Sequence, residues 1–109
     1  MAMHHASAGE VVDLRPLGNE LSHARTVAIV KSEAFEAVRL IVHAGTKIET
    51  HQVSGPITLH CLEGRIILWL DNSSIELSAG EWTFLASGER HSVQGIEESS
   101  LLLKILFDS

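Results

Sequence analysis

Turn-forming residues recur along this chain every seven to ten positions, and that spacing leaves room for little except short strands. Gly45, Gly55-Pro56, Gly64, Asp71-Asn72, Gly80, Gly88 and Gly95 punctuate runs rich in Ile, Val, Leu, Thr and Trp. Short β-branched runs between regular turn signals are the pattern of an antiparallel β-sandwich or barrel. The runs place strands at Val11–Arg15, Thr26–Lys31, Phe35–His43, Ile57–Leu62, Arg65–Asp71, Ser74–Leu77, Trp82–Leu85, His91–Gln94 and Leu101–Phe107. Only Pro16–His23 has helical promise, and it supports one or two turns at most.

Composition narrows the possibilities further. At 109 residues, 45% hydrophobic and 20% charged, the chain can bury one core. Residues 1–9 are small and polar and read as a flexible tail, with a single domain over 10–109. Eight Lys+Arg against fourteen Asp+Glu leave a net charge of −6, the wrong sign for a nucleic-acid-binding surface. No apolar run approaches the ~18 residues of a membrane span. The start of the chain lacks the basic-then-apolar pattern of a secretory signal, and the lone Cys61 has no intrachain disulfide partner. The expected compartment is therefore the cytoplasm.

Two strands are apolar on both faces. Leu101, Leu103, Ile105 and Phe107 alternate onto one face, expected in the core, while Leu102 and Leu106 flank Lys104 on the other. Ile66, Leu68 and Leu70 share a face, with Ile67 and Trp69 behind them. Such strands need cover on both sides. A homodimer that buries Trp69, Ile67 and Leu102 would supply it, as would the chain's own N-terminal segment.

Two spacings carry a family resemblance. The first reads Gly45-x5-His51-x-Val53-x3-Ile57-x6-Gly64. The second, fifteen residues on, reads Gly80-x5-Ala86-x-Gly88-x2-His91-x3-Gly95. Both resemble the paired signatures of the cupin superfamily, G-x5-H-x-H-x3-4-E-x6-G and G-x5-P-x-G-x2-H-x3-N. The glycine register and two histidines agree, and the likeness covers about residues 35–107. The resemblance implies an all-β, antiparallel jelly-roll barrel of six to eight strands around a ligand cavity. It also implies a divalent ion, such as iron, manganese, nickel or zinc, held by two histidines and a glutamate from the first motif and a histidine from the second.

The sequence departs from that pattern at the ligands. Val53 stands at the second histidine position and Ile57 at the glutamate, while Ala86 and Gly95 replace the proline and asparagine. His51 and His91 remain, expected to face each other inside the barrel. Two imidazoles alone make a weak metal site. Glu49, two residues before His51, is the first candidate for a third ligand and Cys61 the second. Against them, Glu49 sits near a strand start, where side chains reach water, and a buried cysteine is most often a small core hydrophobe.

The expected cavity lining is His51, Val53, Ile57, Leu59, Cys61, Phe84 and His91, mostly apolar with two polar anchors. This favours a stand-alone cupin-like protein that binds an unidentified small molecule without a cofactor. A metal-dependent dioxygenase or isomerase built on His51, His91 and a non-standard ligand is the alternative. A barrel packed shut, serving as an interaction module, is the third. Catalytic residues are not identifiable.

Overall fold

The computed structural model describes residues 4–50 and 54–107. A short 3-10 helix, Gly18–His23, precedes nine strands. These are β1 (Val27–Lys31), β2 (Phe35–Val42), β3 (Lys47–Thr50), β4 (Ile57–Glu63) and β5 (Arg65–Trp69). β6 (Ser74–Ser78), β7 (Trp82–Leu85), β8 (His91–Gly95) and β9 (Ser99–Leu106) complete the set. One sheet has the order β1-β2-β9-β4-β7 and the other β3-β8-β5-β6, with antiparallel pairing throughout. The expected antiparallel jelly roll is the observed fold.

Every strand except β3 falls on a run that the turn spacing marks. Lys47–Thr50 has charged residues at alternate positions, and its strand character comes from pairing with β8. The expected strand at Val11–Arg15 does not form. The Asp13 carboxylate accepts hydrogen bonds from the Arg15 amide at 2.9 Å and from its guanidinium, closing a local turn. Val11 is 92% exposed and has no sheet to join. Residues 4–9, expected as a tail, run alongside β1, where the Ala6 amide donates to the Ile29 carbonyl at 2.8 Å.

Alternation fills the space between the sheets. On β4, Ile57, Leu59 and Cys61 point inward, and the register sets Ile105, Leu103 and Leu101 of β9 beside them. Ile66, Leu68, Leu77 and Val93 close the core from the other sheet. Each of these side chains stabilises the fold by roughly 1.5–3 kcal/mol through burial. Phe107, expected in this core, is instead exposed, because β9 ends at Leu106 and the Phe107 amide turns to the Ala34 carbonyl.

Backbone crowding requires glycine at several turns, and most clearly at positions 64 and 55. A Cβ on Gly64, whose φ is +84°, would stand 2.2 Å from the Glu98 carbonyl oxygen. A Cβ on Gly55 would overlap the Leu106 carbonyl at 1.5 Å. Both glycines belong to the spacing pattern, so that pattern reports close backbone approach as well as turns.

The end of β4 anchors the N-terminal segment. The Glu63 carboxylate accepts hydrogen bonds from the Leu17 amide at 2.9 Å, the Gly18 amide at 3.2 Å and the Ser100 hydroxyl at 2.9 Å. Arg39 Nη2 reaches the same carboxylate at 3.3 Å and donates to the Arg15 carbonyl at 2.8 Å. Burial alone would raise the Glu63 pKa. The donors at Leu17, Ser100 and Gly18, together with the Arg39 charge, outweigh it and hold the pKa below the ordinary value.

A depressed folded-state pKa stabilises the fold above the unfolded value and is lost as pH falls through the folded one. Glu63→Gln should therefore lower stability near neutrality by about 3 kcal/mol, because it leaves the mostly buried Arg39 without its counter-charge. Urea unfolding across pH checks this: the gap between the parent and the variant should close on acidification. Gly64→Ala should cost about 2–3 kcal/mol at every pH.

Candidate functional site

Strand register decides which of the candidate residues can meet. On β8, Val93 is buried and pairs with Leu68 on one side and Ile48 on the other. His91, two residues earlier, faces inward in the same row and is half-buried. Its Nδ1–H donates to the Glu89 carbonyl at 3.2 Å, which fixes the ring's tilt. The loop 86–90 joins Leu85, at the end of β7, to His91. Leu85 pairs with Ile57, and Ile57 pairs with Ile105. His91 thus lies at the same end of the barrel as an aliphatic row across three strands. The Ser87 hydroxyl donates to the Ser54 carbonyl and ties the turn before β4 to this loop.

The two candidate third ligands do not join His91. Glu49 pairs with Ser92, shares its face with Lys47 and is exposed, so it lies on the opposite face of the sheet from His91. Cys61 sits at the far end of β4, beside the Gly64 turn, and its thiol points at the Glu63 and Gly64 carbonyls at 3.5 and 3.6 Å. Burial pushes its pKa up to about 11, which leaves it a neutral thiol. Among the described residues, no three His, Cys, Asp or Glu side chains are placed to hold a metal ion. His51 and Val53 lie outside the described residues.

Ile57, Leu59 and Cys61, expected to line a ligand cavity, lie in the packed core between the sheets. Phe84 does not. It pairs with Thr58, on the face opposite Ile57 and Leu85, and is 60% exposed. The run Trp82–Leu85 gives no clue to its own facing, because Trp and Phe alternate with Thr and Leu and either pair could pass for the inner one. One further inward position went unrecognised in the sequence. Glu36 pairs with Ile105 and Lys31, extending the Leu85–Ile57–Ile105 row by a half-buried carboxylate.

The expected outer-face residues have their own contacts. The Trp69 indole N–H donates to the Gln94 side chain at 2.9 Å, and Lys47 lies 5.8 Å from the ring centre. A separate cleft of 290 Å³ lies between the N-terminal segment and β1 and includes His4, Glu10, Asp13 and Val27. Its polar groups already serve one another: Glu10 holds His4 at 2.8 Å and the Ser7 amide, and Asp13 holds Arg15.

No protein-family model and no curated protein matches this sequence. Solved structures do. A cupin superfamily protein from Desulfitobacterium hafniense superposes with a TM-score of 0.77 at 17% identity, over 94% of this chain and 100% of that one. A conserved protein of unknown function from Streptococcus pyogenes gives 0.76 at 15% identity, over 100% and 97%. An RmlC-like cupin from Desulfovibrio desulfuricans gives 0.69 at 20% identity, over 94% and 97%. The chain has the cupin fold.

The buried thiol yields a simple check. Cys61 should stay unmodified by a thiol-specific reagent in the folded protein and react fully once urea unfolds it. Fast labelling of the native chain would contradict its placement.

Proposed function

We propose that this protein is a stand-alone cupin-fold binder of a small molecule, which it holds at the His91 end of the barrel without a complete metal site. The separation of donors carries the reading. His91 presents an oriented imidazole at the same end of the barrel as the row formed by Leu85, Ile57 and Ile105. Glu49 belongs to the other face of the sheet and Cys61 to the other end of the barrel. An apolar wall with few fixed polar groups suits an organic ligand of mainly apolar surface with one hydrogen-bonding group. Among the described residues, no three His, Cys, Asp or Glu side chains group on this wall to give a dipositive ion the three or four protein donors that most sites use.

Metal analysis of untagged protein, purified without chelator, tests the proposal. The expected content of iron, manganese, nickel and zinc is well below one ion per chain. One ion per chain, lost in His91→Ala, would establish the metal-enzyme alternative instead. A thermal-shift screen of small carboxylic acids, amides and phenols should yield binders whose shift disappears in His91→Ala.

Restoring the motif's missing donors should also convert the wall. Ile57 is 3% exposed, so Ile57→Glu buries a carboxylate among aliphatic neighbours and should cost about 3 kcal/mol without metal. Combined with Val53→His, it should gain a nickel- or zinc-dependent rise in melting temperature that the parent lacks.

A further inference from the structure

The inward row at the His91 end of the barrel changes character along its length. Leu85 and Ile57 are buried, Ile105 and Glu36 are half-buried, and Lys31 at the sheet edge is exposed. Packing closes the wall at Leu85 and Ile57 and leaves it accessible at Ile105 and Glu36.

Glu36 stands apart from the other carboxylates. Among the described residues, three acidic side chains are half-buried: Glu36, Glu63 and Glu98. Glu63 accepts from two amides, a hydroxyl and Arg39. Glu98 accepts from the His43 imidazole at 2.7 Å and the Ala44 amide at 2.6 Å. The Glu36 carboxylate has no such partner among the described residues, and Lys31, opposite it in the ladder, forms no ion pair with it. Partly withdrawn from water and without a donor, Glu36 is the group at this end that gains most from a cation.

The strands set Glu36 across from His91. A parallel bridge between Ala44 and Gly95 joins the chain just past β2 to the end of β8, at the opposite end of the barrel. From there β2 and β8 separate toward the His91 end, where their first inward residues are Glu36 and His91 on facing sheets. Facing sheets lie roughly 10 Å apart and neighbouring strands about 4.8 Å. A ligand of about that length can touch both residues while resting on Ile105, the neighbour of Glu36 in the ladder.

We propose that Glu36 selects the ligand of this site, which is a small amine: its ammonium pairs with Glu36, its apolar body lies on Ile105, and a hydrogen-bonding group at its far end meets His91. This assignment rests on the small-molecule reading of the His91 end and adds the ligand's charge to it. A charge-assisted hydrogen bond to a half-buried carboxylate gives about tenfold in affinity over a neutral group of the same shape. A carboxylate of that shape is repelled.

Calorimetric titration of the full chain with three phenols of similar shape tests it: tyramine, para-ethylphenol and para-hydroxyphenylpropionate. Tyramine should bind the parent about tenfold more tightly than para-ethylphenol, with the propionate last. Glu36→Gln should erase the tyramine advantage and leave para-ethylphenol unchanged, and Glu36→Lys should put the propionate first. Glu49→Gln removes one negative charge from the outer face and should keep the parent's order, which separates a local ion pair from the pull of the net charge of −6. In the parent itself, the carboxyl carbon resonance of Glu36 should move on addition of tyramine and stay in place with para-ethylphenol, which decides the matter if the Glu36 variants fail to fold. Equal affinities for those two phenols, a preference that survives Glu36→Gln, or one that is lost in Glu49→Gln would overturn the amine assignment. The site reading then still stands if binding falls in His91→Ala. No binding by any of the three phenols would overturn the assignment too, and the site reading fails with it only if the wider thermal-shift screen yields no binder.

Discussion

The Glu63 carboxylate is where distant parts of this chain are fastened together. It closes β4, accepts from Ser100 on β9, pairs with Arg39 on β2 and takes two amides at the start of the 3-10 helix. A carboxylate this deep is stable only because every direction around it supplies a donor. The Arg39 side chain is less fully served: its Nε is buried without a partner among the described residues. The pair's stabilising effect thus comes from holding the segment Arg15–Leu21 over the outer face of the five-stranded sheet, where Leu21 is buried. That cover answers, at one end of the sheet, the demand made by a central strand that is apolar on both sides.

The cover is partial. It lies over the Arg39 side of the sheet, while Trp82 and Phe84 occupy the opposite edge and stay open to water. The division between a self-covered side and an aromatic open side follows from where Glu63 fastens the chain.

Much of the architecture was legible in the sequence, because turn chemistry and alternation are local. The glycine register located the strands and the inward set Ile57, Leu59, Cys61, Ile66 and Leu68 correctly. The misreadings share one cause, which is dependence on a partner strand. β3 has no apolar signature of its own and exists through β8. Glu49 and Phe84 carry no local mark of their facing, which is fixed by Ser92 and Thr58 across the ladder. Glu63 sits in the motif stretch Cys61-Leu62-Glu63-Gly64, but nothing local reveals that its partners lie 46, 45, 37 and 24 positions away.

The change at the motif's glutamate position extends beyond one residue. Ile57 is packed in a row with Leu85 and Ile105, so the carboxylate's place is taken by a wall that is apolar on three adjacent strands. A carboxylate set there would be desolvated and driven toward its neutral form unless a cation or a donor met it. His91 differs in kind: it is half-buried at the strand's end and oriented through Nδ1, at the same end of the barrel as the aliphatic row. A group in that position gains most from a ligand that brings its own apolar surface to the wall and one polar atom to the ring.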